Sequence, residues 1–350
     1  MQSFFSSAIS ILSTLLVSVL VFGAVIFIHE LGHFLTAKFS GIKVNEFALG
    51  MGPTLLKWGK KDTVYALRLF PIGGFVSMEG EDEESDADGA FNKAPVGNRI
   101  LVVVAGAIMN LVLGFLVLVV IVCMQGNITS RTVAKFYDGA TTQASGLQVG
   151  DTIVAVNGRR CFIANDISYE FARTQNGTAD LTVLRDGEKL QLEDVQFELG
   201  EQDGQKYLII DFIVYAQEKN VGTVLRQAAN WTLSLGRMVV LSLTDLVTGR
   251  VAINNLSGPV VIVTAIGQAA KMGVSSVLLL LAFITINLGI FNLLPIPALD
   301  GGRLVLLIIE AIRHKPMNQK YEAIINTVGF VALMCLMLFV TFNDITRLIG

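Results

Sequence analysis

The chain has 350 residues, 53% of them hydrophobic and only 16% charged, with a mean hydropathy of +0.62. That is too oily for an ordinary soluble domain and marks a membrane protein, while a formal charge of -3 is close to neutral and argues neither for nucleic acid nor for any other polyelectrolyte partner. Cys123, Cys161 and Cys335 are far apart and form no C-x-x-C, so neither a disulfide framework nor a thiolate zinc site is indicated, and any metal must be held by histidine and carboxylate.

A helix needs about 20 apolar residues to cross a hydrocarbon core of about 30 Å. The first segment to meet that test runs from Phe4 to Ala37. No Lys or Arg precedes Lys38, and the run is longer than the core of a secretory signal, so the sequence predicts a retained span. It ends in "FIHELGHFLTAKF" (27 to 39), where His29, Glu30 and His33 spell H-E-x-x-H. Residues four apart share a helix face, so both imidazoles can reach one ion. Zinc suits two histidines and a carboxylate with one open position, and Glu30 beside it can act as general base on water. By chance the pattern arises in on the order of one in a hundred chains of this length. Two of the three histidines fall within it, however, and ionisable residues in a span are costly and usually functional. The third, His314 in "RHKP", reads as solvated.

Residues 43 to 79 read as a β-hairpin or small sheet, from "TVYALRLF" (63 to 70), "GGFVSM" (73 to 78) and the turn-like "GKKD" (59 to 62). Such a backbone is tolerated at membrane depth only where protein buries it or where it lines a watery cavity. Seven acids crowd "EGEDEESDADG" (79 to 89), which reads as a solvated loop, with a substrate-excluding gate as the functional alternative. The second span is Ile100 to Met124.

Soluble composition returns from 127 to 216, with strand patterns in "TVAKF", "DTIVAVNG", "ADLTVLRDGEKLQLEDVQFEL" and "YLIIDFIV" and one short helical pattern in "NDISYEFARTQ". Residues 221 to 247 place apolar side chains at helical spacing, but Arg226, Arg237 and Asp245 make them an interfacial helix rather than a span. The third and fourth spans are Val274 to Leu294 and Ala323 to Phe342. The domain organisation expected is therefore 1–125, 126–217, 218–272 and 273–350.

A third metal ligand must come from elsewhere. Glu46, Asp62 and Glu79 are loop acids, Glu310 lies further on, and Asp300 sits in "NLLPIPALDGGR" (292 to 303). There two prolines and two glycines break the helix and free a carboxylate to turn inward, so Asp300 is preferred over its alternative role as a helix cap. Basic residues set the orientation. Lys38, Lys43, Lys57, Lys60, Lys61, Arg68, Lys93 and Arg99 follow the first span, and Arg313, Lys315 and Lys320 precede the fourth. By the positive-inside rule these connections are cytoplasmic, with both termini and the 125–273 segment outside.

"HELGH" after a first span and "NLLPIPALDGG" after a third resemble the site-2 protease family of intramembrane zinc metalloproteases, in its bacterial group with a PDZ domain between the second and third spans. "GATTQASGLQVGDTIVAVNGRRC" (139 to 161) is similar to that PDZ segment, and "LSGPVVI" (256 to 262) to a segment before the third span. The resemblance covers essentially the whole chain. It implies a multi-pass α-helical membrane protein with four transmembrane helices, a cytoplasmic-side membrane-associated β element, an extracytoplasmic PDZ domain and residence in the bacterial cytoplasmic membrane. It also implies one zinc ion on His29, His33 and Asp300, Glu30 as catalytic glutamate, and polar active-site roles for Asn292 and Asn287. "GAIMN" (106 to 110) departs from the family by lacking Pro after the glycine, and no role is assigned to Asn110.

A transmembrane helix hides its peptide bonds in its own hydrogen bonds, so cleavage needs local unwinding and new backbone partners. Strand addition at "RLFPIGGFVSM", with Gly73 and Gly74, would supply them. The function expected is an endopeptidase for single-span membrane proteins, such as anti-sigma factors or remnant signal peptides, with the PDZ domain as size filter or docking site for peptide termini. The alternatives are a PDZ-bearing membrane scaffold or a transporter with a non-hydrolytic metal site. Glu30 discriminates, because only hydrolysis requires a base beside the two histidines.

Overall fold

A computed structural model describes residues 2–59, 63–81, 83, 85–202, 205–250, 256–315 and 319–349. Two compact units emerge, Met1–Val117 with Val239–Gly350, and Leu118–Met238. Among the described residues four helices are long and apolar enough to cross a membrane: Ile11–Phe39, Val96–Met124, Val274–Leu293 and Lys320–Arg347. They lie within α1 (Gln2–Phe39), α2 (Val96–Met124), α7 (Val274–Leu293) and α9 (Gln319–Ile349). Large apolar residues such as Leu12, Leu16 and Leu20 are exposed on α1, as a lipid-facing surface requires.

In the first unit α1, α2 and α7 meet through glycines. A methyl group on Gly32 would lie 2.8 Å from the Ala105 carbonyl carbon, and one on Gly289 would lie 2.9 Å from the Ala107 oxygen. Lipid gives helices no hydrophobic reason to associate, so close backbone approach has to supply the contact. α6 (Pro259–Met272) packs on α1, with Gly267 against Thr14, and has no side-chain cap of its own. Buried Asp344 of α9 caps it instead, accepting from Gly258 N at 3.0 Å and Val261 N at 3.2 Å. The short α8 (Asp300–Arg313) follows the broken end of α7.

Between α1 and α2 lie β1 (Val44–Trp58) and β2 (Val64–Met78), each 15 residues long and each used twice. Phe47 faces Val76 on one side and Tyr65 on the other, while Thr54, Leu56 and Trp58 double back onto Arg68, Leu67 and Tyr65. Gly50 and Gly52, with φ of 83° and 84°, make that bend in the left-handed region. The two strands thus form a four-ribbon sheet with 74–78 at one outer edge and 54–58 at the other. It packs on α1, α2 and α8 through Ala37, Phe47, Val76, Val102 and Leu307. Asp62 of "GKKD" lies outside the described residues.

The second unit is an antiparallel sheet ordered β10-β3-β4-β6-β7, with β5 on β4. Its strands are β3 (Ile128–Phe136), β4 (Thr152–Val156), β5 (Arg159–Arg160), β6 (Thr178–Arg185), β7 (Glu188–Gln196) and β10 (Phe212–Gln217). β8 (Leu199–Gln202) and β9 (Gln205–Leu208) form a separate hairpin, and α3 (Thr141–Ala144) and α4 (Ala164–Ala172) complete the fold. β6 turns into β7 through Asp186-Gly187, both at positive φ, the pairing that a two-residue hairpin turn favours. Leu147, Ile153, Leu181 and Phe171 fill the core. α5 (Val221–Val247) is amphipathic, and within this unit its Arg237 reaches Glu170 of α4 at 3.0 Å.

Candidate active site

The one-turn spacing on α1 brings the two imidazoles edge to face, at 84° with centroids 4.7 Å apart. His29 Nε2 and His33 Nε2 stand 3.2 Å apart. Asp300 Oδ2 lies 3.3 Å from the first nitrogen and 3.5 Å from the second. Metal–ligand bonds of about 2.0 Å in a tetrahedron give ligand–ligand edges of about 3.3 Å. The three atoms therefore already outline one face of such a tetrahedron. Among the described residues, Asp300 Oδ2 is buried with no hydrogen-bond partner, which is costly for a carboxylate oxygen unless something else satisfies it.

The surroundings also leave metal-ready nitrogens. Val102 O lies 2.8 Å from His33 Nδ1 and can only accept, so Nδ1 carries the proton and Nε2 keeps its lone pair. Asn110, fully buried on α2, places an amide nitrogen 3.3 Å from His29 Nδ1 and leaves Oδ1 without a partner. Rotating that amide by half a turn puts Oδ1 where it accepts from Nδ1–H, which satisfies the orphan and frees His29 Nε2 for coordination. Thr285 Oγ1 donates to the Asn110 carbonyl at 3.1 Å and ties α7 to this point. Gly106, one turn before Asn110, is the floor of the site. A methyl group there would lie 2.7 Å from His29 Cε1 and 2.8 Å from its Nδ1, and would collide with His33 Nε2.

Asp300 reaches the histidines because the chain after α7 folds tightly. Ile296 N donates to Leu294 O at 2.7 Å, and Ala298 takes a left-handed φ of 71°. α8 then starts against the end of α7, where side chains at Gly301 and Gly302 would strike the backbone of Leu293 and Ile296. Asn292 places its amide 3.3 Å from His29 Nε2, the ring nitrogen that faces His33 and Asp300. Asn287, expected at the site, instead donates to Phe283 O on its own helix at 2.8 Å. Such i to i-4 back-bonding satisfies a polar side chain in a span without any partner helix.

Gly74 lies beside the candidate base, since a methyl group there would come within 2.9 Å of Glu30 Cγ and 3.1 Å of Ile26 Cγ2. Gly73, at φ 80°, turns away toward Met51. Among the described residues, the other acids weighed as ligands are engaged elsewhere. Glu46 pairs with Arg68 at 2.7 Å, and Glu310 takes a two-pronged pair from Arg99 at 2.5 and 3.2 Å. Hydrogen bonds from Ser85 and Asn45 hold Glu79 below the usual carboxylate range. His314 ends α8 in a left-handed conformation.

Gly106 and Asn110 are the residues that sequence reasoning passed over. "GAIMN" stood out by its departure from the family pattern and so received no role; the signal within the chain was a Gly and an Asn four apart, on one helical face, in an otherwise apolar span.

The model of peptidase family M50 matches residues 17–336. The chain is 38% identical to a Clostridium acetobutylicum relative over 332 residues, covering 95% of this chain and 97% of that one. It is 33% identical to the regulator of sigma-W protease RasP of Bacillus subtilis, covering 96% of this chain and 99% of that one. It is likewise 33% identical to the zinc metalloprotease RasP of Bacillus licheniformis, covering 96% and 100%.

Proposed function

As this chain belongs to peptidase family M50 and is a zinc metalloprotease, we propose that it cleaves single-span membrane proteins, with His29, His33 and Asp300 holding the zinc and Glu30 serving as general base. The observation that carries the ligand assignment is the trio of 3.2, 3.3 and 3.5 Å separations among two imidazole nitrogens and one carboxylate oxygen. When bound there, zinc supplies a Lewis acid that makes water a competent nucleophile near neutral pH. Glu30 takes the proton from the attacking water and returns it to the leaving amine. Asn292 directs its amide to the metal side of His29, where it can donate to the oxygen of the scissile carbonyl.

The substrate strand adds to the outer ribbon 74–78, whose Gly74 leaves room for backbone beside Glu30. That edge repairs the hydrogen bonds lost when the substrate helix unwinds. The basic connections put this site near the cytoplasmic face of a bacterial membrane, with the second unit and both termini outside. The second unit acts as a PDZ domain, a docking site or size filter for substrates already trimmed outside. Its β10 ends the sheet and offers an edge, and a polar cleft of about 490 Å³ includes Arg131, Tyr215, Gln217, Arg226 and Asn230, suited to a peptide carboxylate. Anti-sigma factors are one substrate class in this reading, and a relative named regulator of sigma-W protease is compatible with it.

Zinc analysis together with cleavage of a co-reconstituted single-span substrate tests this reading. Glu30→Gln keeps the zinc and loses activity by about 10²- to 10⁴-fold, the usual worth of a general base. Retained cleavage would defeat the mechanism. In the same assay, deleting 126–217 should abolish discrimination between full-length and trimmed substrates, and unchanged discrimination removes the filter.

A further inference from the structure

The acidic stretch 79–89 is not simply solvated. Glu81 receives Arg303 of α8 through Oε1, and its carbonyl accepts Arg303 Nη2 at 2.9 Å. Its other carboxylate oxygen takes the backbone N–H of Met78, the last residue of β2, at 3.3 Å. Arg303 lies one helical turn after Asp300, with its guanidinium 5.4 Å from the Phe91 ring centroid and 3.6 Å from Glu322 of α9. Both members of the pair are mostly buried, at 22% and 15% exposure, which makes the contact more persistent than a surface ion pair. Next to it, Glu79 is held by Asn45 at 3.1 Å and Ser85 at 2.6 Å, so the loop is anchored at two points.

We propose that Arg303 and Glu81 form a latch that fixes the end of the outer ribbon 74–78 to the helix carrying Asp300. The latch sets the distance between the strand that seats substrate backbone and the carboxylate on the metal side. Arg303 is a positioning residue and touches neither. Cleavage depends on near-ångström placement, so loosening one body against the other lowers turnover without removing any reacting group. The role in catalysis rests on the edge-strand reading given above, and the latch itself does not.

The test uses the full chain in lipid nanodiscs with Arg303→Gln, Glu81→Gln, the double variant and Arg303→Lys. Hydrogen–deuterium exchange of 74–78, in the absence of substrate, should accelerate several-fold in each Gln variant while zinc content stays at the wild-type level. The kcat/KM should fall about tenfold in each single variant and no further in the double, because coupled neighbours are not additive. Arg303→Lys, which keeps the charge but not the fork, should recover part of the loss. Unchanged exchange, losses that multiply in the double variant, or zinc loss in the single variants would each overturn the latch. Gly74→Val separates the two ideas. If that variant cleaves like wild type, the edge-strand reading falls while the exchange data still decide the latch.

Discussion

Asp151, Asp166 and Glu170 of the second unit and Asp300 of the first are held in opposite ways. In the second, Asp151 takes both prongs of Arg185 at 2.7 Å and the Gln148 N–H at 2.8 Å. Asp166 accepts from Phe162 N, Ile163 N and the Ser234 hydroxyl, and Glu170 is shared by Arg159 and Arg237. In the first, Asp300 faces two imidazole nitrogens, and its inner oxygen has no hydrogen-bond partner. A buried carboxylate with every lone pair satisfied is a structural part, whereas one pointed at other lone-pair donors is waiting for a cation. Metal sites in unfamiliar chains can be sought by that difference.

Exchanging the two kinds of acid should break the comparison most sharply. Asp300→Ala is expected to abolish zinc retention and cleavage, by at least about 10³-fold, with little change in thermal unfolding. Asp166→Ala should keep the zinc but destabilise the second unit by about 3 kcal/mol, since it strands part of Arg237 and uncaps α4. Metal analysis beside a calorimetric scan reads both, and zinc loss in the Asp166 variant would erase the distinction. A smaller effect, about 10- to 100-fold in zinc affinity by chelator competition, is expected for Asn110→Leu, which has nearly the same size but no acceptor for His29 Nδ1–H. Affinity within twofold of wild type would show that Asn110 only fills space.

The least disruptive probe is Cys161. Burial, with Asp166 nearby, pushes its thiol from an ordinary 9.0 up to about 12. The folded state thus keeps a proton that the unfolded state releases, so stability is fully present below pH 9 and declines as pH rises toward 12. Cys161 should resist iodoacetamide at pH 9 in the folded protein and react once denaturant opens the second unit. Exposed Cys123 and Cys335 label in either state, so prompt labelling of Cys161 itself in the native protein would contradict its closed core.

What could be read from sequence was what is local. The four apolar helices and H-E-x-x-H follow from runs and spacings within one element, and Asp300 stood out because Pro295, Pro297, Gly301 and Gly302 break a helix that had no other reason to stop. The rest depends on how elements cross. Asn110 matters because Gly106 lets α2 lie directly against the imidazoles. Asn287 was expected at the site from the family resemblance, yet an Asn in a span can bond to its own helix, as this one does. The double use of β1 and β2 was equally hidden, because alternation shows which residues form a strand but not that Phe47 has neighbours on both sides.

His33 and Asp300 touch in space but are about 270 residues apart in the chain. At ribosomal rates of about 5–20 residues per second, roughly 15 to 50 s separate their synthesis. On the ligand set proposed above, α1 carries its histidines for that interval without a third ligand. A protease built on that ligand set would be inert toward its own nascent spans, and toward its neighbours, until α8 has been made.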